Sequence, residues 1–318
     1  MKKTPPSQKG VALILVLWVL TLLIIMAGSF TLGMRRETRI IANLRDKAQA
    51  IALAEAGITF AQLNLSTLDK AQRWRASGHI YPVQFNQATI RVKIQSEFGK
   101  IDINKANEKL LTGMLLQTDI APEKHPAIVN AIIDWRDKDD LIRIDGAEKA
   151  TYQSEGLAYA PRNKPFQTIE ELRLVLGVTP ELFEQLKTMI TVYSRQLTVD
   201  LKTASRAVLL AATGLEAERI DSYIAERVES DINHLPTPAL ITTGTQSKKN
   251  AQEIYTVIAE TQLNNGAKAR IQVVMKKKSD PSKPFIILDW KRYAALKTSL
   301  FSKTMSLLLI PEDAELNP

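Results

Sequence analysis

MKKTPPSQKGVALILVLWVLTLLIIMAGSF, residues 1–30, decides the architecture: it is a secretion signal to be discarded, a permanent anchor, or a segment cut at its front edge and reused. No residue from Val11 to Met34 is charged. At about 1.5 Å per helical residue, that run reaches the roughly 30 Å thickness of a bilayer core. A secretion signal carries a shorter apolar region, about 7 to 15 residues, before a small-x-small cleavage site. Ala27-Gly28-Ser29 offers such a site, but the apolar run is too long to fit comfortably. Lys2, Lys3 and Lys9 precede the run, and Arg35, Arg36, Arg39, Arg45 and Lys47 follow it, so flanking charge does not set the orientation. The long chain that follows favours a cytoplasmic N-terminus, because large domains translocate largely regardless of nearby charge.

The front edge bears on the third option. A short basic leader ends in Gln8-Lys9-Gly10, and the apolar run starts abruptly at Val11. This resembles the type IV prepilin family, in which a membrane peptidase cuts after the glycine and methylates the new N-terminus. The resemblance implies a cut between Gly10 and Val11, with the apolar segment kept as the stem of a filament subunit. Pilin-like subunits usually carry glutamate at the fifth position after the cut, whereas this chain has Leu15. A carboxylate in an apolar segment needs a partner, in pilins the amine of a neighbour. Its replacement suggests a subunit without an ordinary place in the repeating stack.

Beyond Met34 the sequence continues without proline and with apolar or alanine residues at helical spacing, so one helix is predicted over 11–65. Within it AQAIALAEAG, Ala48 to Gly57, is rich in small residues that let another surface approach closely, whether its own sheet or a partner. Residues 66–101 then carry the strand patterns HIYPVQF and ATIRVKIQSEFGKIDIN, with Ile90, Val92 and Ile94 on one face and Arg91, Lys93 and Gln95 on the other. A second strand block occupies 241–293: YTVIAETQL, an Asn264-Asn265-Gly266 turn, KARIQVVMKKK and PFIILDW. Between them, 102–240 reads as helical. The layout is α+β: a long N-terminal membrane and stem helix, a small antiparallel sheet, and a large α-helical domain inserted within the sheet region. Residues 294–318 form a tail with no assigned role.

Inside the insert INKANEKLLTGML, FQTIEELRLVLGVTPELFEQL and VDLKTASRAVLLAATGLEAERIDSYIAER look alike. Asn104 and Thr168 are placed to cap helix starts, and Gly177 and Gly214 to separate paired helices. These pairs resemble helix-hairpin-helix DNA-binding modules, whose turns offer backbone N–H groups to phosphate. Here the second turn glycine is missing from both pairs, and Glu216 puts negative charge where phosphate would sit. A structural role is favoured and nucleic acid is not an expected ligand.

The 318 residues carry a formal charge of +8, and loss of the three leader lysines would leave about +5, too small an excess to argue for nucleic acid or anionic lipid. There is no cysteine, which excludes disulfides and thiolate metal sites. His79, His125 and His234 are scattered, and there is no P-loop or G-x-S-x-G, so the chain is not expected to be an enzyme. IIDWRDKDDLIRIDGAEKATY, by contrast, concentrates Asp134, Asp137, Asp139, Asp140, Asp145 and Glu148. So many carboxylates must be exposed or bound to a cation, and an all-oxygen set favours calcium. Asp137, Asp139, Asp145 and Glu148 fall on the first, third, ninth and twelfth positions of an EF-hand loop. Leu141, Ile142 and Arg143 break that pattern, leaving a different calcium loop or a solvated acidic loop.

Taken together, the leader, Leu15, the stem, the split sheet and an insert containing DWRDKDD, DGAEKATY, YAPRNKPFQTIEELRLVLGVTPELF and VDLKTASRAVLL resemble the K-type minor pseudopilin family of the type II secretion system, across nearly the whole chain. The resemblance implies a pseudopilin sheet interrupted by a helical domain, in complex with other minor pseudopilins at the tip of a filament of major pseudopilin. It implies a prepilin leader over 1–10 cut by prepilin peptidase, a single pass through the inner membrane, and a periplasmic C-terminal domain. Calcium in the acidic loop is also implied, with Asp137, Asp139, Asp145 and Glu148 as ligands and Asp134, Asp140 and Asn163 in reserve. A minor pilin of a type IV pilus and a membrane-anchored DNA receptor are the alternatives.

Overall fold

The computed structural model describes residues 11–69, 72–85, 88–241, 253–293 and 299–310, with the backbone alone at Val11. Gly10 and the rest of the leader lie outside the described residues, as do 242–252, 294–298 and 311–318. In chain order the elements are α1 (Val11–Ser66), β1 (Ser77–Phe85), β2 (Ala88–Ser96), β3 (Ile101–Asp102), α2 (Glu108–Leu115), α3 (His125–Arg136), α4 (Lys149–Ser154), α5 (Pro180–Leu186), β4 (Ile190–Thr191), α6 (Arg206–Thr213), α7 (Ala217–Ile232), β5 (Ile254–Gln262), β6 (Lys268–Lys277), β7 (Phe285–Tyr293) and α8 (Lys303–Ser306).

The predicted stem is one helix of 56 residues, about 84 Å long at 1.5 Å per residue. Its front part is long and apolar enough to cross a membrane, and none of that part is covered by the rest of the chain. Leu15 is exposed there with its neighbours. The hydroxyls of Thr21, Thr31 and Thr38 donate back to the carbonyls of Trp18, Ala27 and Met34, each at 2.8 Å. The helix thus satisfies these polar groups without water. At the far end Lys277 Nζ donates to the Leu65 carbonyl at 2.9 Å, meeting one of the orphan acceptors every helix leaves.

The second half of α1 lies on a five-stranded antiparallel sheet in the order β1-β2-β5-β6-β7. The period-2 pattern read from β2 holds: Ile90, Val92 and Ile94 are fully buried, and face Ala50, Ala54, Ile58, Ala61 and Leu65 of the helix in one core with Val257, Ala259, Ile271, Val273 and Met275. Part of the small-residue stretch therefore serves the chain's own sheet. A Cβ on Gly57 would stand 2.8 Å from Ile90 Cγ2 and 2.9 Å from the Ala259 Cβ, so glycine sets how closely helix and sheet approach. The β5–β6 hairpin turns at Gly266 with φ of 87°, as the Asn-Asn-Gly reading requires.

The insert leaves the sheet after β2 and returns before β5, and has its own core around Trp135, Tyr152, Leu172, Leu182, Val208 and Ile220. Of its helical segments, the third is the helix pair α6 and α7 around Gly214. The second is a 3-10 turn, Ile169–Leu174, followed after Gly177 by α5. Thr168 caps that turn through a capping box with Glu171. Asn104 does not cap α2. The chain from Asp102 to Ala106 first closes a turn, so the helix begins later and Asn107 Oδ1 accepts from Leu110 N–H at 2.9 Å. Asn104 instead pairs with the backbone of Phe166 in both directions, at 2.9 and 2.7 Å.

Two buried polar clusters join insert to sheet. Glu97 accepts from Lys100, from Thr191 of the insert and from Thr256 of β5. Asp231 at the end of α7 pairs with Arg75 at 2.6 Å and His79 at 3.0 Å, and accepts from Ser77 at 2.7 Å. The tail segment 299–310 crosses the sheet. Arg91 donates to the Leu300 carbonyl at 2.8 Å and stacks over Phe301, and the buried Glu260 accepts from Leu300 N–H and Ser299 Oγ. Leu308 and Ile310 then bracket Ile80 on β1, at 2.8 and 3.0 Å. The described part of the tail thus covers a sheet edge.

Candidate functional site

The acidic loop joins α3 to α4, and its deepest carboxylate is Asp134 in the last turn of α3, fully buried. Asp134 Oδ2 accepts from Ala147 N–H at 2.9 Å and Arg143 N–H at 3.4 Å, so the loop closes back over the helix that starts it. Gly146 makes this closure possible, since any side chain there would run into Asp134 Oδ2. Asp137 terminates α3 with extended backbone, its N–H bonded to the Ile133 carbonyl at 3.0 Å. Glu148 is buried just before α4.

Four carboxylate oxygens are buried without a hydrogen-bond donor: Asp134 Oδ1, Asp137 Oδ1 and both oxygens of Glu148. Burying an anion without partners costs several kcal/mol, on the order of 3 or more per ion. The ionisation behaviour reflects this. Burial, then the charges of Asp134, Asp137 and Asp140, push Glu148 up to about 7. Burial also raises Asp134 against the bonds from Arg143 and Ala147, and raises Asp137, with Asp139 and Asp134 adding to it. Arg143, with Nε 3.6 Å from Asp134 Oδ1, is the cation in contact. Such a cluster is relieved either by protonation or by a hard dication, and its all-oxygen donor set fits calcium chemistry. Among the described residues, no three acidic or histidine side chains are yet arranged around a single point.

The remaining candidates are placed around this centre. Asp139 Oδ1 accepts from Leu141 N–H at 3.0 Å. Asn163 Nδ2 donates to Asp140 Oδ1 at 2.7 Å and to the Asp139 carbonyl at 2.9 Å, tying the loop to the following segment. Asp145 is exposed with φ of 56°. Asp134, a reserve ligand in what the resemblance implies, is the deepest acid of the cluster. The signal that marks it is a lone carboxylate inside an apolar run, Ala131-Ile132-Ile133-Asp134-Trp135. The Asp231 cluster has no local signal in the sequence, because its partners lie about 150 residues away. His79 belongs to that cluster and His125 bonds the Ile120 carbonyl at 2.9 Å, so both are used structurally.

The turns that resemble DNA-binding hairpins have their N–H groups engaged internally in part: Thr179 Oγ1 accepts from Leu182 N–H at 3.2 Å, and Glu216 stands at the start of α7. A different surface lies where the stem meets the sheet. An open groove of about 1030 Å³ is lined there by Gln49, Ala52, Leu53 and Ala56 of α1 with Phe85, Ala88 and Leu263. Small side chains facing an apolar wall admit another helix closely.

Residues 61–195 match the family described as "Type II secretion system (T2SS), protein K". The chain is 27% identical to type II secretion system protein K of Klebsiella pneumoniae over 229 residues, which are 64% of this chain and 70% of that one. It is 26% identical to the protein of the same name from Aeromonas hydrophila over 249 residues, 70% of this chain and 75% of that one. A solved structure from enterotoxigenic Escherichia coli, described as the GspK-GspI-GspJ complex of its type 2 secretion system, superposes with a TM-score of 0.53 at 15% identity, covering 82% of this chain and 99% of that one. That likeness establishes the shared fold.

Proposed function

We propose that this chain is a minor pseudopilin of the type II secretion system, of the protein K kind that its residues 61–195 and its relatives resemble, and that it starts and caps the pseudopilus at its tip, in complex with other minor pseudopilins. The observation that carries the tip assignment is the insert. Some 140 residues with their own core are fixed to the sheet by the Glu97 and Asp231 clusters, a bulk that suits a filament end better than a tightly stacked shaft. Leu15, in place of a carboxylate that would pair with a neighbour's amine, supports the same reading. The chain's action is mechanical: it nucleates a filament that drives exported proteins through the outer membrane, without catalysis of its own.

In this account prepilin peptidase cuts between Gly10 and Val11, α1 spans the inner membrane once, and the sheet and insert stand in the periplasm. The apolar part of α1 and the groove at Ala52 and Ala56 receive the stems of neighbouring subunits. Calcium, bound by Glu148, Asp137 and Asp134 with Asp139, Asp140 and Asp145 in the same loop and Asn163 bonded to it from the segment after α4, neutralises the acidic cluster and rigidifies the insert. The orphaned carboxylate oxygens support that reading.

The test is reconstitution: the full chain in detergent is mixed with the other minor pseudopilins of its host and passed over a sizing column. A stable complex of defined stoichiometry is expected. Separate elution at micromolar concentration removes the tip assignment.

A further inference from the structure

The sheet has two edges, and the chain treats them differently. On β1 the backbone of Ile80 is bonded by Leu308 and Ile310, and Pro82 further blunts the edge. On the other side β7, FIILDWKRY, pairs with β6 alone, and among the described residues its outer backbone meets no other strand. Ile286, Ile287, Leu288, Trp290 and Tyr293 are all exposed on it. A long edge strand with contiguous apolar side chains and a tryptophan is an invitation to pairing that soluble proteins normally avoid, and tryptophan is enriched at interface hot spots.

Charge says what fits. Lys276, Lys278 and Lys283 flank the start of β7 around a single acid, Asp280, which feels the charge of Lys278; among the described residues none of the three ammonium groups lies within ion-pair distance of a carboxylate. Lys291 and Arg292 stand at its other end, committed to Glu170, Asp289 and Glu55. A second copy pairing in parallel would bring the two lysine clusters together, and an antiparallel copy would offer each cluster an end whose charge is already compensated, so neither supplies the acid the lysines attract. Arg292 reaches Glu55 of the stem at 2.7 Å, so β7 lies beside the helix along which a neighbouring subunit would run.

Resting on the tip-complex reading, we propose that β7 is a docking edge that accepts an extended, acidic strand from a neighbouring minor pseudopilin, extending the sheet across the subunit boundary. Backbone pairing supplies the attachment, the Ile287 and Trp290 face the apolar contact, and the net basic cluster of Lys276, Lys278 and Lys283 the selection of partner.

The experiment is hydrogen exchange by mass spectrometry on the full chain in detergent, alone and with the other two minor pseudopilins of its system. It is repeated with the K276E/K278E/K283E variant and with a K109E/K124E control on the insert. The proposal expects amides within 285–293 to slow at least tenfold in the complex. It also expects the triple variant to bind about tenfold more weakly while the control binds normally. A complex in which β7 exchanges as in the free chain, or in which the triple variant binds within twofold of the original, overturns the docking edge and leaves the tip reading intact. Protection of β7 in the chain alone, rising with its concentration, assigns the edge to a second copy and likewise overturns it. No complex at all overturns both.

Discussion

Glu148 gives the acidic loop a measurable signature. The folded insert holds the Glu148 proton up to about 7 against an ordinary value of 4.5. A group that binds its proton more tightly when folded favours the fold at low pH, and that advantage is lost as pH rises from about 4.5 through about 7. The shift corresponds to about 3.5 kcal/mol at most, at about 1.4 kcal/mol per unit, and sharing of charge with Asp134, Asp137 and Asp140 lowers the realised figure to about 2 kcal/mol. For a domain of this size that is a fall of roughly 5–8 °C in melting temperature between pH 5 and pH 8. The assay is differential scanning calorimetry of the full chain in detergent after exhaustive chelation, following the transition of the insert. Calcium competes with the proton, so a saturating concentration should abolish the loss at pH 8, and at 100 times its Kd should add about 2.7 kcal/mol. Glu148→Gln should melt with a smaller pH dependence than the original when metal-free, that left by Asp134 and Asp137, and should lose most of the calcium response. A metal-free transition that is flat from pH 5 to pH 8, or one that calcium leaves unmoved, refutes the reasoning.

Other perturbations probe the scaffold. Gly57→Leu would drive a side chain into Ile90 and Ala259, and should destabilise the stem-sheet core by about 1–3 kcal/mol in urea unfolding. Asp231→Ala strips the buried partner from Arg75 and His79 and should cost about 3 kcal/mol, read by urea unfolding with loosening of the insert seen as faster exchange at the end of α7. Truncation after Tyr293 leaves Glu260 buried without its Ser299 and Leu300 donors and frees the Ile80 edge. It should cost about 2–3 kcal/mol and produce self-association visible by sedimentation.

The fold was legible where a single physical period dominates. An uncharged run followed by helical spacing gave one continuous α1 and its far end to within a residue, and alternation through Ile90, Val92 and Ile94 gave β2 and its buried face. Gly266 marked its hairpin because the turn needs positive φ. Local capping was less legible: Asn104 and Asn107 are equally good caps by residue type, and only the turn through Asp102 selects between them. The candidate site was visible as a concentration of acid, but the ordering of its members was not. Spacing favoured Asp139 and Asp145, whereas burial concentrates the unmet oxygens at Asp134, Asp137 and Glu148. Burial depends on the α3 face turned to the insert core, which spacing along a loop does not report. The tail's path over β1 depended on contacts more than 200 residues apart and left no local trace.

The central claim, that this is a processed pseudopilin whose stem remains in the filament, is tested most directly at its own N-terminus. Protein recovered from the membranes of its host is measured by intact mass and N-terminal sequencing. A chain that begins at Val11 and carries one added methyl group is the predicted result. A chain that begins near Ser29, having lost the stem, or one that still begins at Met1, would contradict it.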